Sequence, residues 1–195
     1  MKKIILSAAI LFAGSSLFAQ TNWSADKVHS TVKFSVPHLV ISEVEGQFKT
    51  FDGTISAKTA DFNNAAITFN ADVKSLDTEN SDRDKHLLGS DFFDAEKYPT
   101  MSFKSTSFKK VSGNKYVLTG NLTLHGVTKP VKFDVTYGGI AKDGYGNTKA
   151  GFKATGVIKR FDYGLKWNAL TEAGGATVGN EVTLNLKLEF TQQKG

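Results

Sequence analysis

The sequence predicts an all-β chain of about eight antiparallel strands with one short helix-and-flap insertion. Three observations carry that expectation. Apolar and polar residues alternate along most of residues 28–190, as half-buried strands do. Gly, Asn and Asp cluster between the alternating runs, where hairpins turn. One long stretch, residues 75–99, does not alternate. An antiparallel set of this kind closes into a barrel or splits into a sandwich.

The elements follow in order. Val32, Phe34 and Val36 share one face of a first strand, and Pro37 ends it or places it at an edge. Residues 38–45 mix apolar and acidic side chains and suggest a single helical turn. Residues 46–57 read as strand with a slipped phase around Phe48, Phe51 and Gly53, which a bulge or sharp bend explains. Ile67, Phe69, Ala71 and Val73 alternate with Thr68, Asn70, Asp72 and Lys74. Residues 75–99 then mix charges of both signs with His86, and close on Phe92, Phe93 and Pro99. The stretch is too long for an ordinary hairpin loop and too apolar at Leu87, Leu88, Phe92 and Phe93 for disorder. It reads as a short helix and an ordered flap over the mouth of a β structure.

Met101 and Phe103 open the next strand. Ser112-Gly113-Asn114 marks a hairpin, and Tyr116, Leu118, Gly120, Leu122 and Leu124 share a face beyond it. His125-Gly126 turns into Val131, Phe133, Val135 and Tyr137. Residues 143–147 form another hairpin loop before Phe152, Ala154, Gly156 and Ile158. Gly174-Gly175 lies in the last long loop, and Val182, Leu184, Leu186, Leu188 and Phe190 close the chain. Ala71, Gly120, Ala154 and Gly156 fall on the inward face. They either leave volume unfilled inside or mark bends and close backbone approach.

Residues 1–19 read as a secretory signal peptide. Lys2 and Lys3 precede the apolar run Ile4 to Phe12, and Ala19 precedes Gln20. The run is too short to span a bilayer. With no cysteine in the chain, a thiol-linked lipid anchor and a disulfide framework are both excluded. The n-region points to export into a periplasm, with full secretion as the other destination. Residues 20–195 remain as one domain long enough for a real core. The formal charge of +5 includes two lysines of the leader, and no Lys/Arg block occurs. Nucleic-acid binding is therefore not expected. No later apolar run is long enough to cross a membrane.

Candidate chemistry is sparse. Asn80, Asp82 and Asp84 have the spacing that opens a calcium loop. Lys85, however, stands where the sharp-turn Gly is needed, and Asp91 where a bidentate Glu is usual. Two carboxylates and one His are too few for a closed zinc site without distant histidines. No metal is expected; the segment reads as a helix capped by Ser81, with Asp82 and Asp84 in its positive first turn. His29, His38, His86 and His125 are the four histidines, each at a strand end or loop. Ser30 beside His29 suggests a nucleophile and base, but adjacent strand residues point to opposite faces. No nucleophile elbow, phosphate loop or dinucleotide fingerprint occurs. No catalytic centre and no cofactor are expected. Arg160, where a strand stops alternating, could meet an anionic head group. The favoured expectation is that it pairs with a nearby acid, while Trp167 caps one end of the core.

These segments together resemble the YceI-like family of periplasmic, polyisoprenoid-binding, lipocalin-like proteins. The residues that carry the resemblance include His29-Ser30, Phe34, His38-Leu39, Ile41-Ser42 and Gly46-Gln47-Phe48 in the first segment. The second has Asp77-Thr78, Asn80, Arg83-Asp84, His86-Leu87 and Asp91-Phe92-Phe93-Asp94. Leu122-Thr123 and His125 to Pro130 form the third, and Arg160, Asp162, Gly164 and Val178 to Val182 the fourth. Tyr163 replaces the family's usual Phe, and Asn180 its usual Asp. The resemblance implies an eight-stranded antiparallel lipocalin-like barrel, non-catalytic, with an amphiphilic lipid in its cavity. The implied ligands are a polyisoprenoid, quinone or polyprenyl phosphate, or else a fatty acid or fatty amide. It also implies that a homodimer is compatible with the fold. A barrel in water keeps Lys and Asp outside, so the opposite phase should line the cavity: Phe34, Val36, Phe69, Val73, Phe103, Leu118, Leu122, Phe133, Phe152 and Ile158. Leu87, Phe92 and Phe93 should anchor the flap, with Arg83, Asp84 and His86 in salt bridges. The competing functions are an enzyme built on convergent histidines, and a partner-binding or stress protein of the envelope that holds no small ligand.

Overall fold

The computed structural model describes residues 20–170 and 174–194. The leader expected at 1–19 lies outside the described residues. Strands dominate: β1 (Thr21–Ala25), β2 (Thr31–His38), β3 (Ser42–Phe48), β4 (Phe51–Ala57), β5 (Ala66–Asp72), β6 (Leu76–Asp77), β7 (Thr100–Ser112), β8 (Lys115–Leu124), β9 (Val127–Lys142), β10 (Thr148–Lys159) and β11 (Glu181–Gln192). Among the described residues one α-helix, α1 (Ser81–Leu88), interrupts them.

These strands form a closed eight-stave antiparallel barrel. β1 and β2 both pair with β11, so together they make one interrupted stave. β3 and β4 make a second, because β2 pairs with β3 and β1 with β4. β5 and β6 make the third. The remaining strands follow in chain order, and the β11–β1 pairing closes the circle. Closure removes the free sheet edges that an open meander would expose. The slipped phase around residues 48–53 is the break between β3 and β4. There the Thr50 amide donates to Ser75 Oγ at 2.9 Å rather than to a ladder. Pro37 lies inside β2 but past the last β11 pair, Ser35 with Thr183, so its missing N–H costs no ladder bond.

No helical turn forms at 38–45. β2 runs to His38, a tight reversal takes residues 39–41, and β3 starts at Ser42. Strand pairing between Val36 and Val44 overrides the mixed local pattern. Nor is Ser81 the cap of α1. Asn80 is: its side chain accepts from the Arg83 amide at 2.9 Å, and Asp82 and Asp84 occupy the first turn.

One end of the barrel is plugged. The loop between β4 and β5 drives Phe62 inward, where it is 1% exposed. Trp23, Phe152 and Tyr137 surround its ring, with centroids 5.1, 5.2 and 5.5 Å away. The loop is pinned by Tyr116, whose hydroxyl donates to the Asp61 carbonyl at 2.6 Å. Two further apolar clusters lie toward the opposite end. One joins Val32, Phe48, Phe51, Ala71 and Leu76; the other joins Leu124, Ile158, Tyr163 and Leu165. The flap, the 39–41 reversal, the His125-Gly126 turn and the loop after β10 all stand at that end.

Candidate functional site

Between the plug and the flap lies a cavity of about 190 Å³. Its wall is hydrocarbon. Lys33, Ser102 and Arg160 border it without presenting a polar atom to it. Apolar cavities of about 150 Å³ stay dry and take apolar guests, so this space is suited to hydrocarbon rather than to water.

The wall exists because the strands alternate. Lys33, Lys104, Lys132, Lys153 and Lys187 point outward and are exposed. Phe34, Phe103, Phe133, Ala154 and Leu186, of opposite phase on the same staves, border the cavity. Four of the rings lie against glycine. Phe34 covers Gly46, Phe69 covers Gly53, Phe103 covers Gly120 and Phe133 covers Gly156. A Cβ on Gly156 would meet the Phe133 ring at 2.7 Å, and one on Gly53 would meet Phe69 at 2.6 Å. These glycines therefore leave no empty volume of their own. They let rings lie flat along the wall, which keeps the middle of the barrel open.

All of the expected wall residues border the cavity except Val73. β5 ends at Asp72, whose side chain caps a 3-10 turn over Val73–Ser75. The Val73 amide donates to the Pro99 carbonyl at 2.8 Å, so the residue is buried at the root of the flap, out of the wall. The alternation that suggested Val73 stops one residue before it. The wall also holds residues that the expected set lacks, among them Val182, Leu184, Leu186 and Leu188 of β11. Their alternation was plain in the sequence. Leu165 and Val178 also border the cavity, but they come from the irregular loop after β10, where no period marks them.

Leu87, Phe92 and Phe93 close the flap end, and all three border the cavity. Phe93 meets Phe48 edge-on at 6.0 Å. Phe92 is 5% exposed, and its ring packs on His86 and Trp167 at 5.1 and 5.2 Å. Trp167 therefore braces the flap rather than capping the core. Backbone bonds fold the flap on itself: the Phe93 amide donates to Leu87 and the Ala95 amide to Leu88, at 3.0 and 2.9 Å. Among the described residues, Arg83 and Asp84 do not form the expected salt bridges. Both bind Thr78. Arg83 Nε donates to its hydroxyl oxygen at 2.8 Å, and Asp84 accepts from its amide and hydroxyl at 2.9 and 2.6 Å. Only His86 faces an acid, Asp91 at 3.5 Å, and both are exposed.

Arg160 is 4% exposed and pairs with no acid among the described residues. Instead its guanidinium donates to four carbonyls: Leu165 at 2.6 Å, Trp167 and Gly179 at 2.8 Å, and Val178 at 2.9 Å. Burial lowers its pKa, but the group stays charged. It ties the two arms of the loop after β10 together beside the cavity. Tyr163 is also buried, and its hydroxyl has no partner among the described residues. Burial, with a smaller contribution from Asp162, pushes its pKa up to about 12.

The histidines stay apart. His29 faces Asp26 at 3.1 Å, and His38 ends β2. His86 lies in the flap, and His125 Nδ1 is 3.1 Å from the Tyr163 carbonyl. Among the described residues, no hydrogen bond or ion pair joins two of them. Ser30 Oγ accepts from the Glu189 amide at 2.9 Å rather than meeting His29. Asp26, His29 and Glu189 are close enough to share an ion. The ammonium of Lys149 already sits among them, 2.5 Å from Asp26 and 3.4 Å from Glu189. Its hydrogen bond holds the Asp26 carboxyl well below the usual carboxylate range. A protein cation thus takes the position that a metal would need.

A closed meander, plugged at one end, covered at the other and hollow between, defines an up-and-down β-barrel with an internal apolar cavity. The chain belongs to the YceI-like family, whose domain matches residues 23–190. It is 40% identical over 201 residues to protein YceI of Escherichia coli O157:H7, with both chains covered in full. Burkholderia cenocepacia BcnA superimposes with a TM-score of 0.70 at 27% identity, over 85% of this chain and 98% of that one. A polyisoprenoid binding domain from Saccharophagus degradans, implicated in plant cell wall breakdown, has the same fold. Its TM-score is 0.66 at 16% identity, over 88% of this chain and 98% of that one.

Proposed function

We propose that this protein binds a lipophilic amphiphile, with the apolar chain inside the barrel and the polar head at the flap end. The observation that carries the proposal is the hydrocarbon-walled cavity between the Phe62 plug and the flap. A tail gains about 0.8 kcal/mol per buried CH₂ and needs no directed partner, so such a wall suffices. The fold shared with a polyisoprenoid binding domain supports an isoprenoid chain, as in a quinone or a polyprenyl phosphate. A fatty acid or fatty amide fits the same wall. With export by residues 1–19, the protein would carry or store this ligand in the periplasm, without catalysis.

Filling the cavity tests the proposal. Ala154 borders it and is 6% exposed. Ala154→Phe should abolish uptake of cis-parinaric acid, read by its fluorescence, while the far-ultraviolet circular dichroism remains that of the parent. Undiminished uptake by a folded variant would place the probe elsewhere and remove the cavity as the binding site.

A further inference from the structure

The reversal between β2 and β3 presents apolar side chains where turn chemistry favours polar ones. Leu39 and Val40 have φ of 52° and 66°, and the Ile41 amide donates to the His38 carbonyl at 3.2 Å. Two successive positive φ values at the centre of a tight turn are the geometry that Asn-Gly adopts at little cost. A β-branched valine there is strained, and strain retained at a site points to a use for it. The side chains are not buried in exchange: Val40 is 74% exposed and Ile41 85%.

The reversal stands at the flap end of the cavity. His38 bridges to Val178, and both Val36 and Val178 border the cavity. The Leu39 amide donates to the Thr177 carbonyl at 3.0 Å, and the Thr177 amide to Ala169 at 2.9 Å. Leu170, next in the chain, is 77% exposed. The loop after β10 thus brings a further exposed aliphatic residue to the same end of the barrel.

We propose that this apolar tip docks the protein on a lipid bilayer, the source of its ligand, and sets the flap end against the membrane surface. The choice of occupant rests on the lipid-binding reading above. The tip is aliphatic and carries no charge from Leu39 to Ser42, so its insertion takes no ion into hydrocarbon. It lacks the Trp, Tyr and Arg anchors that dominate protein interfaces. A few side chains on a convex turn also offer far less than the roughly 800 Å² per partner that a stable dimer buries. A bilayer needs neither anchors nor a matching surface. Shallow insertion of two or three aliphatic groups gives the weak, reversible binding that a lipid carrier requires.

The test uses the protein from residue 20 onward, vesicles of phosphatidylethanolamine and phosphatidylglycerol, and cis-parinaric acid. Val40→Gly relieves the strained backbone, so its melting temperature should rise. Its co-flotation with vesicles and its uptake of the probe from vesicles should both fall about tenfold, as expected for losing one buried valine side chain. Uptake from ethanolic solution should match the parent. Ile41→Ser should show the same transfer defect without the gain in melting temperature. Equal co-flotation and transfer by both variants would overturn the proposal. So would a parent that sediments as a dimer and a Val40→Gly protein that sediments as a monomer, since a second copy would then be the occupant. If the parent took up no probe from solution yet floated through the tip, the docking would stand and the cavity reading would fail.

Discussion

Gly156 illustrates how single residues shape the cavity. Its Cα lies under the Phe133 ring and beside the Lys132 carbonyl, which a Cβ would approach to 2.8 Å. Neither neighbour can yield without moving a stave or turning the ring toward the lumen. Gly156→Ala should therefore cost about 1–3 kcal/mol, the range for overpacking a dense site. It should also weaken probe binding, because the displaced ring occupies the space of the guest. Urea unfolding and a fluorescence titration read the two effects. A destabilised variant with parental affinity would show that the ring moves outward and that glycine does not set the bore. The sequence placed Gly120 and Gly156 on the inward face but left open whether they made volume or close contact. Their partners, Phe103 and Phe133, sit on neighbouring strands, and register is a property of pairing that no single strand's pattern contains. Arg160 was opaque for a similar reason. Its acceptors are backbone carbonyls of an irregular loop, and carbonyls have no sequence signature.

The flap is the element on which release of a bound chain should depend. Its helix, its apolar anchors and its place at the mouth were legible, because charge-rich α1 and the Phe92-Phe93 pair contrast with the strands on both sides. Its internal wiring was not. Asn80 took the cap expected of Ser81, and Thr78 took both Arg83 and Asp84. The competing partners lie within a few residues of one another, and composition does not rank them. Phe93 touches clusters on both sides of the mouth, while the barrel ladders run independently of it. Phe93→Ala should therefore accelerate release of cis-parinaric acid about tenfold, or about 1.4 kcal/mol. The unfolding midpoint should move proportionately less. Stopped-flow displacement measures the rate. Equal off-rates in variant and parent would make the flap a structural plug and not a lid.

At the scale of the molecule, closure decides the function. The alternation predicted about eight staves, and eight form, three of them interrupted at turns where the period lapses. What periodicity left undecided was barrel or sandwich. The β11–β1 pairing settles it, and the resemblance had implied it. A sandwich would bring its two inner faces together as one packed core. The barrel, with rings held flat on glycine, keeps an apolar lumen between the Phe62 plug and the flap. The enzyme alternative required convergent histidines, and among the described residues no hydrogen bond or ion pair joins two of them: His29 faces Asp26, His86 faces Asp91 and His125 meets the Tyr163 carbonyl. The central claim is that the lumen holds a lipid. It is tested most directly by native mass spectrometry of the protein purified without detergent from its own cell envelope. The account predicts a mass above that of the mature chain, with a hydrophobic amphiphile released on denaturation. A protein that is uniformly ligand-free, and takes up neither isoprenoid nor fatty chains when they are supplied, would contradict it.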